Sequence, residues 1–335
     1  MKGIILLLLA TFLFSCQEKH VVLNYFEGEA FGTTYHIQLY SNSEVDFKKG
    51  IDSVITAINN SVSTYISTSD ISRINQGDST VVIDAVFKEV FNLSAEINEK
   101  TNGYFDPTIG VLRNAYGFGD TKPLRNIDAM TLDSLMNYVG FQKVQLKSDG
   151  TIHKEYPQIY FDFNAVAKGS GVDHIGRYLE SQGVADYLIE LGGEILAKGK
   201  NIDKDQLWTV GIESPESDIA DRSVEATVTL KDMGMASSGN YRKFRVDSIS
   251  GKKYVHTLNP ITGSAEMSDV TSATVIAPTC GKADAYATSF MALGFEKSKV
   301  LLNELSDVEA YLTYIDSTTH HNVYITDGFE KRMPK

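Results

Sequence analysis

A chain of 335 residues, 42% of them hydrophobic and 22% charged, can bury a large core in one domain or two closely packed ones, which excludes a small disulfide-stapled scaffold. Seven prolines, 26 glycines and no low-complexity tract exclude a fibrous or largely disordered chain. With 31 Lys and Arg against 43 Asp and Glu the formal charge is −12, and nucleic acid is not expected as a partner because phosphate backbones are bound by basic clusters.

Lys2, the apolar run from Ile4 to Leu9 and the stretch Leu13-Phe14-Ser15-Cys16 precede polar Gln17, Glu18 and Lys19. Residues 1–15 read as a signal peptide, since the apolar run is shorter than the roughly 20 residues of a membrane-spanning helix. Leu13 to Cys16 has the form of a lipobox, in which Cys16 is lipidated and begins the mature chain; a plain secretory signal with an incidental cysteine is the alternative. Residues 16–27 read as a tether and 28–335 as the folded domain. Once Cys16 is lipidated, Cys280 has no second cysteine to pair with, so no disulfide is expected.

Alternation at Tyr35, Ile37 and Leu39 predicts a strand. Phe47, Ile51, Val54, Ile55 and Ile58 share one helical face, as do Phe87, Val90, Phe91 and Ile97 before the Thr101-Asn102-Gly103 stop signal. Ile159 to Phe163 is expected to be a strand, followed by a helix with Val172, Ile175 and Leu179 that closes at Gly183, and then by a strand from Tyr187 to Leu191. Further strands are expected near Leu207–Glu213, Val224–Leu230, Val270–Ala277, Tyr311–Ile315 and Val323–Ile325, interrupted by a helix from about Lys282 to Leu293. Helices and strands mix without strict alternation, which favours an α+β fold over a doubly wound parallel sheet.

Several segments carry groups suited to chemistry. From Ile159 to Gly171 the chain runs through a small-residue loop into a helix, where backbone N–H groups and Lys168 suit an anion; taken alone, a tight turn with a solvated lysine is the favoured alternative. The dinucleotide fingerprint fails because His174 stands where the third glycine belongs, and Gly193 to Lys200 misses the Walker spacing. Asp284 and Thr288 lie at i, i+4 on one helical face and offer the hard oxygens that Mg²⁺ accepts, although Asp284 also fits a helix-capping role. His256, before the Pro260-Ile261-Thr262-Gly263 turn, suits a cleft-facing base or a structural histidine. His320-His321 reads as surface, and no zinc pattern is present.

Taken together and in this order, the segments resemble the ApbE family of FAD:protein FMN transferases. The matching stretches are Gly32 to Tyr35; Ser63-Thr64-Tyr65 through Asn75; Gly103-Tyr104-Phe105-Asp106-Pro107 through Gly119; Asp162 through Asp173; Glu190 to Glu194; Ala236 through Tyr241; His256 through Gly263; and Ala277 through Thr288. The resemblance implies a T-fold-related, two-subdomain α+β architecture and a reaction in which the FMN half of FAD moves to a Thr or Ser hydroxyl of a target protein, releasing AMP. It assigns Mg²⁺ to the Ala165 carbonyl, Asp284 and Thr288, and FAD to Tyr65, Tyr104, Phe105, Asp106, Asp162 and Lys168. Phe31 packs over a flavin or adenine ring where the family often has methionine, and His256 is the expected base.

Gly239-Asn240 replaces the commoner Gly-Asp, and the family's acceptor motif, Asp-x-x-(Ser/Thr)-Gly-Ala-(Ser/Thr), does not occur in the chain, so self-modification is not expected. The same site with water as acceptor makes an FAD pyrophosphatase, and without turnover it makes a flavin-binding lipoprotein. With the lipobox, the expected setting is a bacterial membrane facing the periplasm or exterior, and the expected target an exported or membrane-bound redox protein.

Overall fold

The computed structural model describes residues 21–124, 126–213, 223–239, 244–246, 253–265 and 267–334; the signal peptide, the lipidation site Cys16 and Asn240 lie outside them. The chain begins with β1 (Val22–Ala30) and β2 (Thr33–Ser41), followed by α1 (Phe47–Val62), α2 (Asp70–Asn75), α3 (Ala85–Lys100), α4 (Gly110–Tyr116) and α5 (Ala129–Met136). A small hairpin of β3 (Val144–Leu146) and β4 (Ile152–Lys154) leads to α6 (Ala167–Ser181), β5 (Tyr187–Leu191), β6 (Glu194–Lys198), β7 (Trp208–Glu213) and β8 (Val224–Leu230). Then come β9 (Met233–Gly239), β10 (Phe244–Val246), β11 (Lys253–Val255), β12 (Val270–Ala277), α7 (Cys280–Leu293), α8 (Phe295–Glu304), β13 (Glu309–Ile315), β14 (His321–Ile325) and α9 (Asp327–Glu330).

Eight strands form one antiparallel sheet in the order β1-β2-β5-β6-β9-β12-β13-β14, confirming the α+β expectation. Alternation decides what each face meets. Tyr35, Ile37 and Leu39 of β2 pack with Ile189 of β5 against Ile51 and Ile55 of α1 and Val172, Ile175 and Leu179 of α6. On the opposite face Ile195 and Ala197 of β6 meet Trp208, Val210 and Val228 of the β7–β8 hairpin and Phe329 of α9. A separate small core of Leu112, Tyr116, Val139, Leu258 and Ala265 forms where α4 meets the segment after β11.

Two expectations need correction. Of the proposed tether, residues 22–27 belong to β1, the edge strand, paired along its length with β2. Its inward face carries Phe26, which packs on Phe47 of α1, and then only Gly28 and Ala30, because the Tyr35 ring lies across Gly28, where an added Cβ would come within 2.8 Å of it. With Leu23 packed on the opposite face, the hydrophobic alternation that marks a strand is blurred.

Ile159 to Phe163 is extended but is not a strand; it makes one isolated bridge, between Tyr160 and Ile109. Side chains take the place of a neighbouring strand. The Asn75 amide donates to the Phe161 carbonyl at 2.9 Å and accepts from its N–H at 2.7 Å, while Lys154 donates to the Ile159 carbonyl at 2.9 Å. Asp162 N–H donates to the Pro107 carbonyl at 2.7 Å.

Asn75→Ala should strand both backbone groups of buried Phe161 and lower unfolding free energy by about 2–4 kcal/mol, measured by urea denaturation. A loss below about 0.5 kcal/mol would mean that Asn75 does not hold this segment.

Candidate active site

One cavity of about 970 Å³ opens between α1, α4, α6, α7, β9 and the segment after β11. Its walls include every expected site residue that the structure describes: Phe31, Tyr65, Tyr104, Phe105, Asp106, Asp162, Ala165, Lys168, His256, Asp284 and Thr288. The volume lies at the upper end for small-molecule and cofactor sites, as a dinucleotide-sized ligand requires.

The floor is made where α6 crosses α7. Thr279, not Asp284, caps α7, its hydroxyl accepting from Lys282 N–H, so the capping alternative for Asp284 fails. Asp284 sits one turn further on, buried, and Oδ2 accepts from Gly169 N–H at 3.1 Å. Such closeness needs glycine, because a Cβ at position 169 would lie 2.5 Å from the Cys280 carbonyl oxygen. Asp173 of α6 ties the same crossing, accepting from Cys280 and Gly281 N–H at 2.8 Å each. Thr288 follows Asp284 by one turn, its hydroxyl 3.2 Å from that of Ser238 on β9.

Lys168 does not stand as a lone solvated charge: its ammonium pairs with the Glu194 carboxylate. Burial opposes the Lys168 charge, but the Glu194 and Asp284 carboxylates outweigh it and raise the pKa. Burial likewise pushes the Asp284 carboxyl upward and the Glu194 carboxyl up to about 8, with Lys168 pulling both back.

On the opposite wall Asp162 forms an ion pair with Arg113 of α4, and Tyr65, largely exposed at the rim, is a hydrogen-bonding neighbour of the same guanidinium. Asp106 faces the cavity but its carboxylate braces the loop: Oδ1 accepts from Thr108 N–H and hydroxyl, and Oδ2 from Phe141 N–H. Lys297 of α8 donates to the Tyr104 hydroxyl and lies 4.5 Å from that ring's centre. Phe31 and Gly32 form the two-residue turn between β1 and β2, both with positive φ, and the Phe31 ring packs closely on Gly171. His256 follows β11, half-buried on the cavity wall, its backbone set by the Val255 N–H to Ala265 carbonyl bond of 2.8 Å.

Fold and cavity together define an α+β protein with one deep site in which aromatic rings, buried carboxylates and basic groups converge. Residues 31–312 match the ApbE family. The FAD:protein FMN transferase of Haemophilus influenzae is 34% identical over 323 residues, covering 93% of this chain and 92% of the relative. The flavin transferase ApbE of Vibrio cholerae superposes with a TM-score of 0.80 at 29% identity, covering 93% of this chain and 99% of that one. The apo flavinyl transferase ApbE of Pseudomonas stutzeri gives 0.81 at 26% identity, covering 93% and 97%. The chain belongs to the ApbE family.

Arg113 and the role of Glu194 escape sequence reasoning. Arg113 sits on a short helix with no charge pattern, and its partner Asp162 is 49 residues away in a different segment. Glu194 follows two glycines and looks like a turn residue, whereas Leu191 pairs with Glu194 across that turn and β6 starts there.

Arg113→Ala leaves the Asp162 carboxylate buried without its partner and should cost about 3–5 kcal/mol of stability. Combining Arg113→Met with Asp162→Leu should restore most of it, as measured by urea denaturation. If the double variant is no more stable than Arg113→Ala, the ion pair is not the source of the loss.

Proposed function

We propose that this protein is a Mg²⁺-dependent FAD:protein FMN transferase, moving the FMN moiety of FAD onto a Thr or Ser hydroxyl of an acceptor protein and releasing AMP. The observation that carries the reading is the convergence, in one cavity, of oxygen donors at Ala165, Asp284 and Thr288, a histidine at 256 and aromatic side chains at 31, 65, 104 and 105. The names of the relatives from Haemophilus influenzae and Vibrio cholerae support it.

The donor set fits a hard cation. Asp284 and Thr288 face the cavity from one side of α7, and Gly169 N–H occupies a single carboxylate oxygen of Asp284. Bound Mg²⁺ would neutralise charge on the pyrophosphate. His256 takes the proton from the acceptor hydroxyl, whose oxygen bonds to the FMN-side phosphorus as the phosphorus–oxygen bond to AMP breaks. The aromatic side chains orient the flavin by stacking, and the Lys168 ammonium and Arg113 guanidinium offer N–H donors to the ligand, each already paired with a carboxylate.

Export through residues 1–15 and lipid attachment at Cys16 place the site outside the cytoplasm, on a bacterial membrane, within reach of an exported or membrane-bound redox protein. Among the described residues no helix is long and apolar enough to cross a membrane.

Purified protein, FAD, Mg²⁺ and a protein carrying the Asp-x-x-(Ser/Thr)-Gly-Ala-(Ser/Thr) motif should yield an acceptor heavier by one FMN, with AMP released and both products lost on chelation. AMP with free FMN and no adduct across several acceptors would instead establish the pyrophosphatase. Asp284→Ala should abolish Mg²⁺-dependent turnover. His256→Ala should retain FAD binding and slow transfer by roughly 10²- to 10⁴-fold, and full activity in that variant removes His256 as the base.

A further inference from the structure

Glu194 occupies a position where the sheet calls for an apolar side chain. Ile195 and Ala197 of β6 point to the β7–β8 face, so Glu194 and Leu196 point to the face covered by α6 and α7. Leu196 obeys that rule, packing near Gly176 of α6. Glu194 does not, although its side chain is only 3% exposed. The preceding Gly192 and Gly193, with φ of 62° and 104°, form a turn tight enough to deliver the carboxylate to the crossing of α6 and α7.

One oxygen of that carboxylate, Oε1, accepts from Lys168; the other, Oε2, is buried without any hydrogen-bond partner. A buried carboxylate oxygen left unpaired costs several kcal/mol and is uncommon without a ligand to complete it. The local charge is also unbalanced. Glu194 and Asp284 bring two carboxylates, with Asp284 near enough to disfavour ionisation of Glu194, and Lys168 brings the one ammonium that acts on both. Mg²⁺ is commonly held by one or two carboxylates with substrate phosphates and water.

We propose that Glu194 is a second carboxylate ligand of the divalent cation site, contributing Oε2 while Oε1 remains on Lys168. The inference rests on the Mg²⁺-dependent reading above and adds to the set of Ala165, Asp284 and Thr288 a ligand from the sheet. The cation is then clamped between β6 and α7, and the ammonium of Lys168 sits beside it, reducing its affinity until FAD phosphates add negative charge.

The test is Mg²⁺ binding itself, measured by calorimetric titration of the chelator-stripped full chain without FAD, alongside melting temperatures with and without Mg²⁺. Glu194→Gln should weaken Mg²⁺ at least about tenfold and abolish most of the Mg²⁺-induced rise in melting temperature. In chelator the same variant should melt at or above the wild-type temperature, because it removes one of two buried carboxylates that share a single ammonium; a group that merely props up Lys168 would lower it. Lys168→Met should act in the opposite sense and tighten Mg²⁺, which keeps the proposal testable should Glu194→Gln fold poorly. Wild-type Mg²⁺ affinity in both variants overturns the assignment of Glu194 while leaving the Mg²⁺ reading intact. No Mg²⁺ binding by the wild-type chain, either alone or with FAD present, overturns both.

Discussion

The amino ends of α6 and α7 meet at a distance only glycine permits, and the rest of the site is referred to that contact. Gly169 N–H reaches Asp284, Asp173 reaches back to the first turn of α7, and Gly234 of β9 passes so close beneath that an added Cβ would stand 2.3 Å from Cys280 N. Helix α7 accordingly carries Gly281 against α6, where an added Cβ would stand 2.8 Å from the Ser170 hydroxyl, and keeps its large buried side chains, Tyr286, Phe290 and Met291, further along. The contact brings residues more than a hundred positions apart in sequence, Ala165 and Lys168 with Asp284 and Thr288, to one cavity floor.

A second feature is how much charge is kept from water. Asp106, Asp162, Asp173, Glu194 and Asp284 are all buried, and each is handled differently. Asp106 is satisfied by Thr108 of its own loop and by Phe141 N–H, Asp173 by a helix amino end and Asp162 by Arg113. At the α6–α7 floor the carboxylates outnumber the cation. Packing therefore serves the structure at the first three and leaves negative potential at the last, which attracts a cation and repels a bare pyrophosphate.

Much of this was legible in the sequence. Helices with a single apolar face, such as α1 and α3, and alternating strands such as β2 and β5 fall where expected because local period and burial agree, and β12, buried along nearly its whole length, coincides with its expected span. Strands β1 and β9 were not legible: in β1 Leu23 and Phe26 put apolar side chains on opposite faces and Gly28 makes room for a ring, and in β9 Gly234, Ala236 and Ser238 make room for a helix crossing and carry no hydrophobic signal. The extended run at Ile159–Phe163 has the composition of a strand, yet its backbone is satisfied by the side chains of Asn75 and Lys154, a substitution invisible to any pattern of neighbours.

The chain by itself determined the acidic α+β character, the four longest helices and about half of the strands, because these follow from composition and local periodicity, while its short motifs carried the resemblance that named the site residues. Tertiary structure alone decided that Lys168 is paired with Glu194, that Asp162 answers to Arg113, that Asp106 is a brace and that Thr279 rather than Asp284 caps its helix. The reason is physical: a carboxylate's role depends on which donors and charges lie within a few ångströms of it after burial, and those neighbours come from segments whose separation along the chain carries no information about their distance in space.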